Sequence, residues 1–264
     1  MVEPPDIPAV SKVFHLCKKE GVPCYMVGNG SNLLVSDAGY RGVIISTGRL
    51  DTLWLTDGQV TAGAGVLLSK LASESCKAGL SGLEFAAGIP GSVGGAVVMN
   101  AGAYGSEMKE VLRSATVLAE DGTVLELSNG ELELGYRTSC IIRRGYVVLE
   151  AVFALPEGRT EEIRGRMEEL AAKRKEKQPL EYPSAGSTFK RPEGYFAGKL
   201  IEDAGLKGFR LGGAAVSEKH AGFVINKENA SADDIWRLCQ YVRQKVEEQS
   251  GVTLEPEVKV LGVF

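Results

Sequence analysis

The chain has 264 residues, enough for one large domain or two to three smaller ones, and its 44% hydrophobic and 24% charged composition is that of an ordinary folded protein, not a disordered one. Thirty bases against 34 acids give a net charge of −4, without the basic bias that binding a nucleic-acid backbone requires, so no nucleic-acid partner is expected. No stretch reaches the roughly 18–20 apolar residues of a membrane span, and the start, MVEPPDIPAV, lacks a signal peptide's basic lead and apolar core, so no membrane association and a cytoplasmic location are expected.

In chain order, Val10, Val13, Phe14 and Cys17 recur at helical spacing and Gly21 follows as a stop, predicting a helix over about 8–20. CYMVG (24–28), LLVS (33–36) and GVIIS (42–46) read as short strands between Gly- and Asn-rich turns. Two strands are expected over 52–63 around Asp57-Gly58, then a helix over 66–78 ending at Gly79. Residues 80–105 carry glycines interleaved with Leu, Phe, Ile, Val and Met, which reads as backbone packed closely against something. Strands are expected at 114–119, 123–127 and 146–154. A helix over 160–177 opens on Glu161 and Glu162 and closes on lysines and Arg174, matching the helix dipole. A last helix is expected from about Ser231 to Gln249, with Ser231 and Asp234 as a capping pair and Gly251 beyond its end. The composition shifts after Gln178-Pro179, which suggests domains over 1–178 and 179–264.

Five cysteines (Cys17, Cys24, Cys76, Cys140, Cys239), odd in number and without a C-x-x-C pair, indicate reduced thiols. With only His15 and His220 present, no metal site is expected. GNGSNLLVS (28–36) offers small residues whose N–H groups could converge on a phosphate, although it is not a Rossmann fingerprint: Leu33 stands at the third glycine, and strand follows instead of helix. GYFAGKL (194–200) fails the P-loop spacing. Ser92 in IPGSVGG fails the hydrolase elbow because Pro90 stands where glycine is needed. Three polar signals remain: YRTS (136–139), SAGSTFKRP (184–192) and LEPEV (254–258). Each also has an ordinary role, Arg137 as a surface ion pair, Ser187 as a turn cap and Glu257 on an edge strand beside Pro256.

Taken together and in order, VGNGSNLLVSD, GLEFAAGIPGSVGGAVVMNAGAYG, YRTS, PSAGSTFKRP, GKLIEDAGLKGFRLGG, KHAGFVIN and LEPEVKVLG resemble the UDP-N-acetylenolpyruvoylglucosamine reductase (MurB) family over about residues 25–262. Seven motifs in register are a specific signal. The short interval from Arg137 to Ser187 looks like the type II branch, which lacks the type I substrate-covering tyrosine loop.

The resemblance implies an α+β protein: an FAD-binding fold of the vanillyl-alcohol-oxidase (PCMH) type in two subdomains divided near 50–60, within 1–178, and a C-terminal α+β substrate domain over 179–264. It implies non-covalent FAD and NADPH as hydride donor. Gly28, Asn29, Gly30, Ser31, Asn32 and Leu33 would cradle the FAD pyrophosphate, and Gly88, Ile89, Pro90, Gly91, Ser92, Gly94, Gly95, Asn100, Gly102 and Ala103 would lie along the cofactor. The substrate would be UDP-N-acetylglucosamine enolpyruvate, reduced to UDP-N-acetylmuramate for peptidoglycan. Arg137 and a protonated Glu257 would stabilise an enolate-like intermediate, and Ser187 would protonate C2. Tyr136, Lys199 and Arg210 are candidates for binding the rest of the substrate. A monomer is the family expectation. Family members carry a stretch before the first helix, including a Thr/Phe/Gly-rich strand; here the chain enters after it, so the first subdomain is expected to be truncated or built differently, at a cost in FAD affinity. Two other readings stay open at this point: another FAD-linked oxidoreductase on the same fold, and a non-catalytic nucleotide-binding protein.

Overall fold

The computed structural model describes residues 1–56 and 58–264. From the N-terminus its elements are α1 (Ile7–Lys19), β1 (Cys24–Val27), β2 (Leu33–Val35), β3 (Val43–Ser46), β4 (Leu53–Thr56), β5 (Gln59–Gly63) and α2 (Leu68–Lys77). Then come α3 (Val93–Val98), β6 (Gly102–Ala103), β7 (Ser106–Glu107), β8 (Leu112–Leu118), β9 (Val124–Ser128), α4 (Cys140–Arg144), β10 (Val147–Ala154) and α5 (Thr160–Lys177). The C-terminal part adds α6 (Ala197–Asp203), β11 (Arg210–Leu211), β12 (Ala214–Val216), β13 (Val224–Asn226), α7 (Ala232–Ser250) and β14 (Lys259–Leu261).

The chain divides into two compact units. The first comprises Met1–Gly30 and Gly42–Ala172, the second Ser31–Arg41 and Lys173–Phe264, so the division falls inside α5. In the first unit, β1 and β3 pair in parallel, and a five-stranded sheet has the order β4-β5-β10-β8-β9 with antiparallel neighbours. The central strand β10 is buried at most positions, with Leu149 and Phe153 fully so, and α3 packs on β10 and β5. α1 follows its expected amphipathic pattern, burying Val10, Phe14 and Cys17; the Asp6 side chain accepts from the Ala9 N–H at its start. β4 and β5 form the expected hairpin, and Gly58 has φ +76°, whereas Asp57 lies outside the described residues.

The second unit is built on β11-β12-β13, across which α7 packs, with Leu238, Val242 and Val246 buried. Ser231 and Asp234 form the reciprocal capping box read from the sequence, and Gly251 closes α7 at φ +71°. The segment 31–41 belongs here because β2 pairs in parallel with β14, Lys259 opposite Leu33, and because the Asp37 carboxylate accepts from the N–H groups of Ala232 and Asp233 in the first turn of α7. No helix among the described residues is long and apolar enough to cross a membrane.

Candidate active site

In the first unit, the loop after β1 meets the glycine-rich segment. The Asn29 amide donates to the Pro90 carbonyl at 2.7 Å, and a Cβ on Gly28 would fall 2.2 Å from Ser92 Oγ. A side chain at 28 would require the serine hydroxyl to turn away. Ser92 is 2% exposed, precedes the first turn of α3, and its hydroxyl has no hydrogen-bond partner among the described residues. An unsatisfied buried hydroxyl costs about 1–3 kcal/mol, a cost that a polar ligand atom beside Ser92 would remove. Asn29, Gly30, Gly88, Pro90 and Gly95 around it are exposed. Exposed main chain that lacks Cβ atoms at Gly30, Gly88 and Gly95, with a donor hydroxyl at Ser92, fits the diphosphate of a dinucleotide cofactor.

Other positions in the segment answer to the fold itself. A Cβ on Gly94 would sit 2.9 Å from that of Ala64, so this glycine lets α3 lie against the end of β5. A Cβ on Gly102 would meet the Ser106 carbonyl at 2.6 Å across the β6–β7 hairpin. Asn100 is fully buried with φ +42°; its amide donates to the Gly135 carbonyl and its carbonyl oxygen accepts from the Lys109 N–H.

Arg137 is in the same unit. Gly135 and Thr138 exchange two backbone hydrogen bonds (3.1 and 3.2 Å) and close a turn over Tyr136 and Arg137, leaving Arg137 at φ +53°. Its guanidinium donates to the Gly102 carbonyl at 3.1 Å and lies 5.1 Å from the Tyr136 ring centroid. Fully buried Ser139 donates to the Val98 carbonyl at 2.7 Å, so Ser139, Asn100 and Arg137 stitch YRTS to residues 98–102. The sequence placed these motifs 35 residues apart without linking them.

In the second unit, Phe189 and Pro256 form an antiparallel bridge, and the Glu257 N–H donates to the Thr188 carbonyl at 2.9 Å. Glu257 is thereby joined to the residue that follows Ser187; the serine is exposed and the glutamate half-buried. Thr188 anchors the pair: it is 3% exposed, its N–H donates to Gly222 O at 2.9 Å, and its Oγ1 accepts from the Val224 N–H at 2.8 Å. Nothing local in the sequence singles out Thr188, because a threonine between a serine and a phenylalanine carries no sign of its burial or its two hydrogen bonds. Asn32 donates to the Glu257 carbonyl. Thus Ser31, Asn32 and Leu33 fold with the C-terminal unit, while Gly28, Asn29 and Gly30 fold with the first.

Lys199 and Arg210 are exposed and paired with acids, Lys199 with Asp203 and Arg210 with Glu228 at 2.7 Å. The Asp203 hydrogen bond raises the Lys199 pKa, so this side chain is a firm cation. Burial pushes the Cys239 thiol up to about 12, which rules it out as an ionised nucleophile. No group of three or more His, Cys, Asp or Glu among the described residues could hold a metal.

A family model described as the UDP-N-acetylenolpyruvoylglucosamine reductase C-terminal domain matches residues 178–261, and an FAD binding domain matches residues 1–128. The UDP-N-acetylenolpyruvoylglucosamine reductase of Clostridium botulinum (strain Alaska E43 / Type E3) is 54% identical over 96% of this chain and 83% of its own length. That of Clostridium novyi (strain NT) is 54% identical over 99% of this chain and 85% of its own. The crystal structure of UDP-N-acetylenolpyruvylglucosamine reductase (MurB) from Thermus caldophilus matches with a TM-score of 0.81 and 40% identity, covering 94% of this chain and 88% of that one. The fold is therefore the α+β arrangement expected, an FAD-binding region of the vanillyl-alcohol-oxidase type followed by a C-terminal α+β domain. The chain belongs to the UDP-N-acetylenolpyruvoylglucosamine reductase family, FAD-dependent oxidoreductases of peptidoglycan precursor synthesis.

Proposed function

We propose that this chain reduces UDP-N-acetylglucosamine enolpyruvate to UDP-N-acetylmuramate with NADPH as electron source and FAD as mediator, acting as a cytoplasmic monomer. The observation that supports the reading is the 2.9 Å hydrogen bond from Glu257 N–H to the Thr188 carbonyl, which ties the chain at the glutamate to the residue that follows Ser187. The main chain at Gly28–Gly30 and Gly88–Gly95, with the Ser92 hydroxyl, would hold the FAD diphosphate. The main chain of Ser31, Asn32 and Leu33, with Asn100, Gly102 and Ala103, would complete the cofactor-binding set, the Asn32 side chain taking no part in it. When bound, the flavin supplies the redox chemistry, hydride in from NADPH and hydride out to C3 of the enolpyruvyl group.

Hydride arrival at C3 drives negative charge through C2 onto the substrate carboxylate. Arg137 pairs with that carboxylate, and Glu257 in its protonated form donates a hydrogen bond to the developing enolate. Ser187 then delivers its proton to C2; an enolate carbon is a strong base, so a positioned hydroxyl suffices. Tyr136 contacts the substrate, and Lys199 and Arg210 meet the UDP phosphates, exchanging Asp203 and Glu228 for the diphosphate.

The test is anaerobic. Bound flavin is reduced with NADPH, the enolpyruvyl sugar nucleotide is added, and the absorbance of oxidised flavin is followed together with product formation. Return of the oxidised spectrum with UDP-N-acetylmuramate supports the reading. A flavin that NADPH reduces but this substrate leaves reduced would sink it in favour of another oxidoreductase chemistry.

A further inference from the structure

We propose that Asn32 is a positioning residue for Glu257, its carboxamide setting the backbone from which the glutamate side chain projects. The inference rests on the role assigned to Glu257 above. Asn32 lies in the loop expected to cradle the cofactor, yet its side chain is turned elsewhere: Nδ2 donates to the Glu257 carbonyl at 3.1 Å, while the Asn32 main-chain carbonyl accepts from the Lys259 N–H at 3.0 Å. Asn32 therefore grips the chain at 257 and again at 259.

From the other side, the Glu257 N–H donates to Thr188 O. Both backbone polar groups of Glu257 are thus fixed, the N–H by residue 188 and the carbonyl by residue 32. The segment that supplies Asn32 is itself anchored twice in the same unit. The Ser36 hydroxyl donates to the Val263 carbonyl at 2.6 Å, and Asp37 accepts from the first turn of α7 at 3.0 and 3.3 Å.

The chemistry explains why an amide stands here. The Glu257 carbonyl needs a donor, which Asn supplies without bringing a charge beside a carboxyl group whose proton matters to the reaction. Aspartate at 32 would set a carboxylate oxygen against the carbonyl oxygen, and alanine would leave that oxygen without this donor.

The test compares the flavin-loaded wild type with Asn32→Ala, Asn32→Asp, Glu257→Gln and the Asn32→Ala/Glu257→Gln double variant. FAD dissociation constants are measured by fluorescence titration, flavin reduction by NADPH and reoxidation by UDP-N-acetylglucosamine enolpyruvate by anaerobic stopped flow. A misplaced catalytic group slows the step it serves, so both Asn32 variants are expected to reoxidise about ten- to a hundredfold more slowly. Their FAD affinity and reduction rate should stay within about twofold of wild type. The double variant should be no slower than Glu257→Gln alone, because the two residues act as one unit.

Weakened FAD binding with normal reoxidation at saturating FAD would overturn the proposal and make the side chain a cofactor contact. So would multiplicative losses in the double variant. Should Asn32→Ala fold poorly, the isosteric Asn32→Asp decides by the same criteria. Normal reoxidation by Glu257→Gln would remove the role of Glu257 itself, and this inference with it.

Discussion

The turn that carries Arg137 and the strand pair that carries Ser187 and Glu257 hold their side chains by opposite means. At Arg137 the main chain is left-handed, φ +53°, a state that costs an ordinary residue on the order of 1–3 kcal/mol. It is maintained by two Gly135–Thr138 hydrogen bonds and by the guanidinium's own bond to Gly102. At Ser187 and Glu257 no such strain is present: neither has a positive φ, and their placement comes from Thr188 and Asn32. A side chain that helps hold its own turn couples activity to local structure. One placed by its neighbours passes that dependence on to them.

The largest expected effect separates chemistry from placement. Ser187→Ala should slow flavin reoxidation by substrate about 10²- to 10⁴-fold while leaving reduction by NADPH nearly intact. Equal slowing of both half-reactions in stopped flow would remove serine as the proton donor.

Next, Arg137→Gly keeps the turn's left-handed conformation free of strain but removes the cation. Reoxidation should fall about 10²-fold or more, with a melting temperature at or near that of wild type. A large drop in melting temperature would show that the guanidinium bond to Gly102 outweighs the relief of strain.

Thr188→Val sharpens the other side of the comparison. It is nearly isosteric, yet the buried Val224 N–H loses its acceptor, an expected cost of about 1–3 kcal/mol. Both thermal stability and reoxidation should suffer. Lost stability with unchanged kinetics would mean that the strand pair does not set the Ser187 and Glu257 geometry.

The smallest effect is a pH dependence behind Thr188, whose N–H donates to Gly222 O. Burial lowers the His220 pKa from its usual value, with Lys207 acting in the same direction and a backbone hydrogen bond opposing. The ring packs edge-on against Phe223, and its Nδ1 accepts from the Gly222 N–H, which needs a bare nitrogen. Folding therefore favours neutral His220. Its contribution to stability is full above the unfolded-state pKa of about 6.5 and is lost as pH falls through the lowered folded value. His220→Asn keeps an acceptor and does not titrate, so its melting temperature should drop less than that of wild type between pH 7.5 and 5. Parallel curves would remove His220 as the source.

Much was legible where the determinant is local. The periodicity of Val10, Phe14 and Cys17, and the Ser231/Asp234 box with Gly251, identified α1 and α7 because caps and apolar stripes act within a turn or two of helix. α3 was not legible: VGGAVV is poor in helix formers, and packing on β5 and β10 overrides that propensity. α4 and α6 were missed as well, being only five and seven residues long.

The sequence alone determined the family, the chemistry-bearing residue types and the glycines, since each is a property of residue identity and order. It could not reveal that Gly28 faces the Ser92 hydroxyl, Gly94 packs on Ala64 and Gly102 lies in the β6–β7 hairpin, three different surroundings for the same missing Cβ. Nor could it show Asp37 accepting from residues 195 and 196 positions away, or Asn32 reaching Glu257 across 225. Those pairings were left to the tertiary structure, because a hydrogen bond is specified by where two backbones are brought together, and separation along the chain carries no record of it.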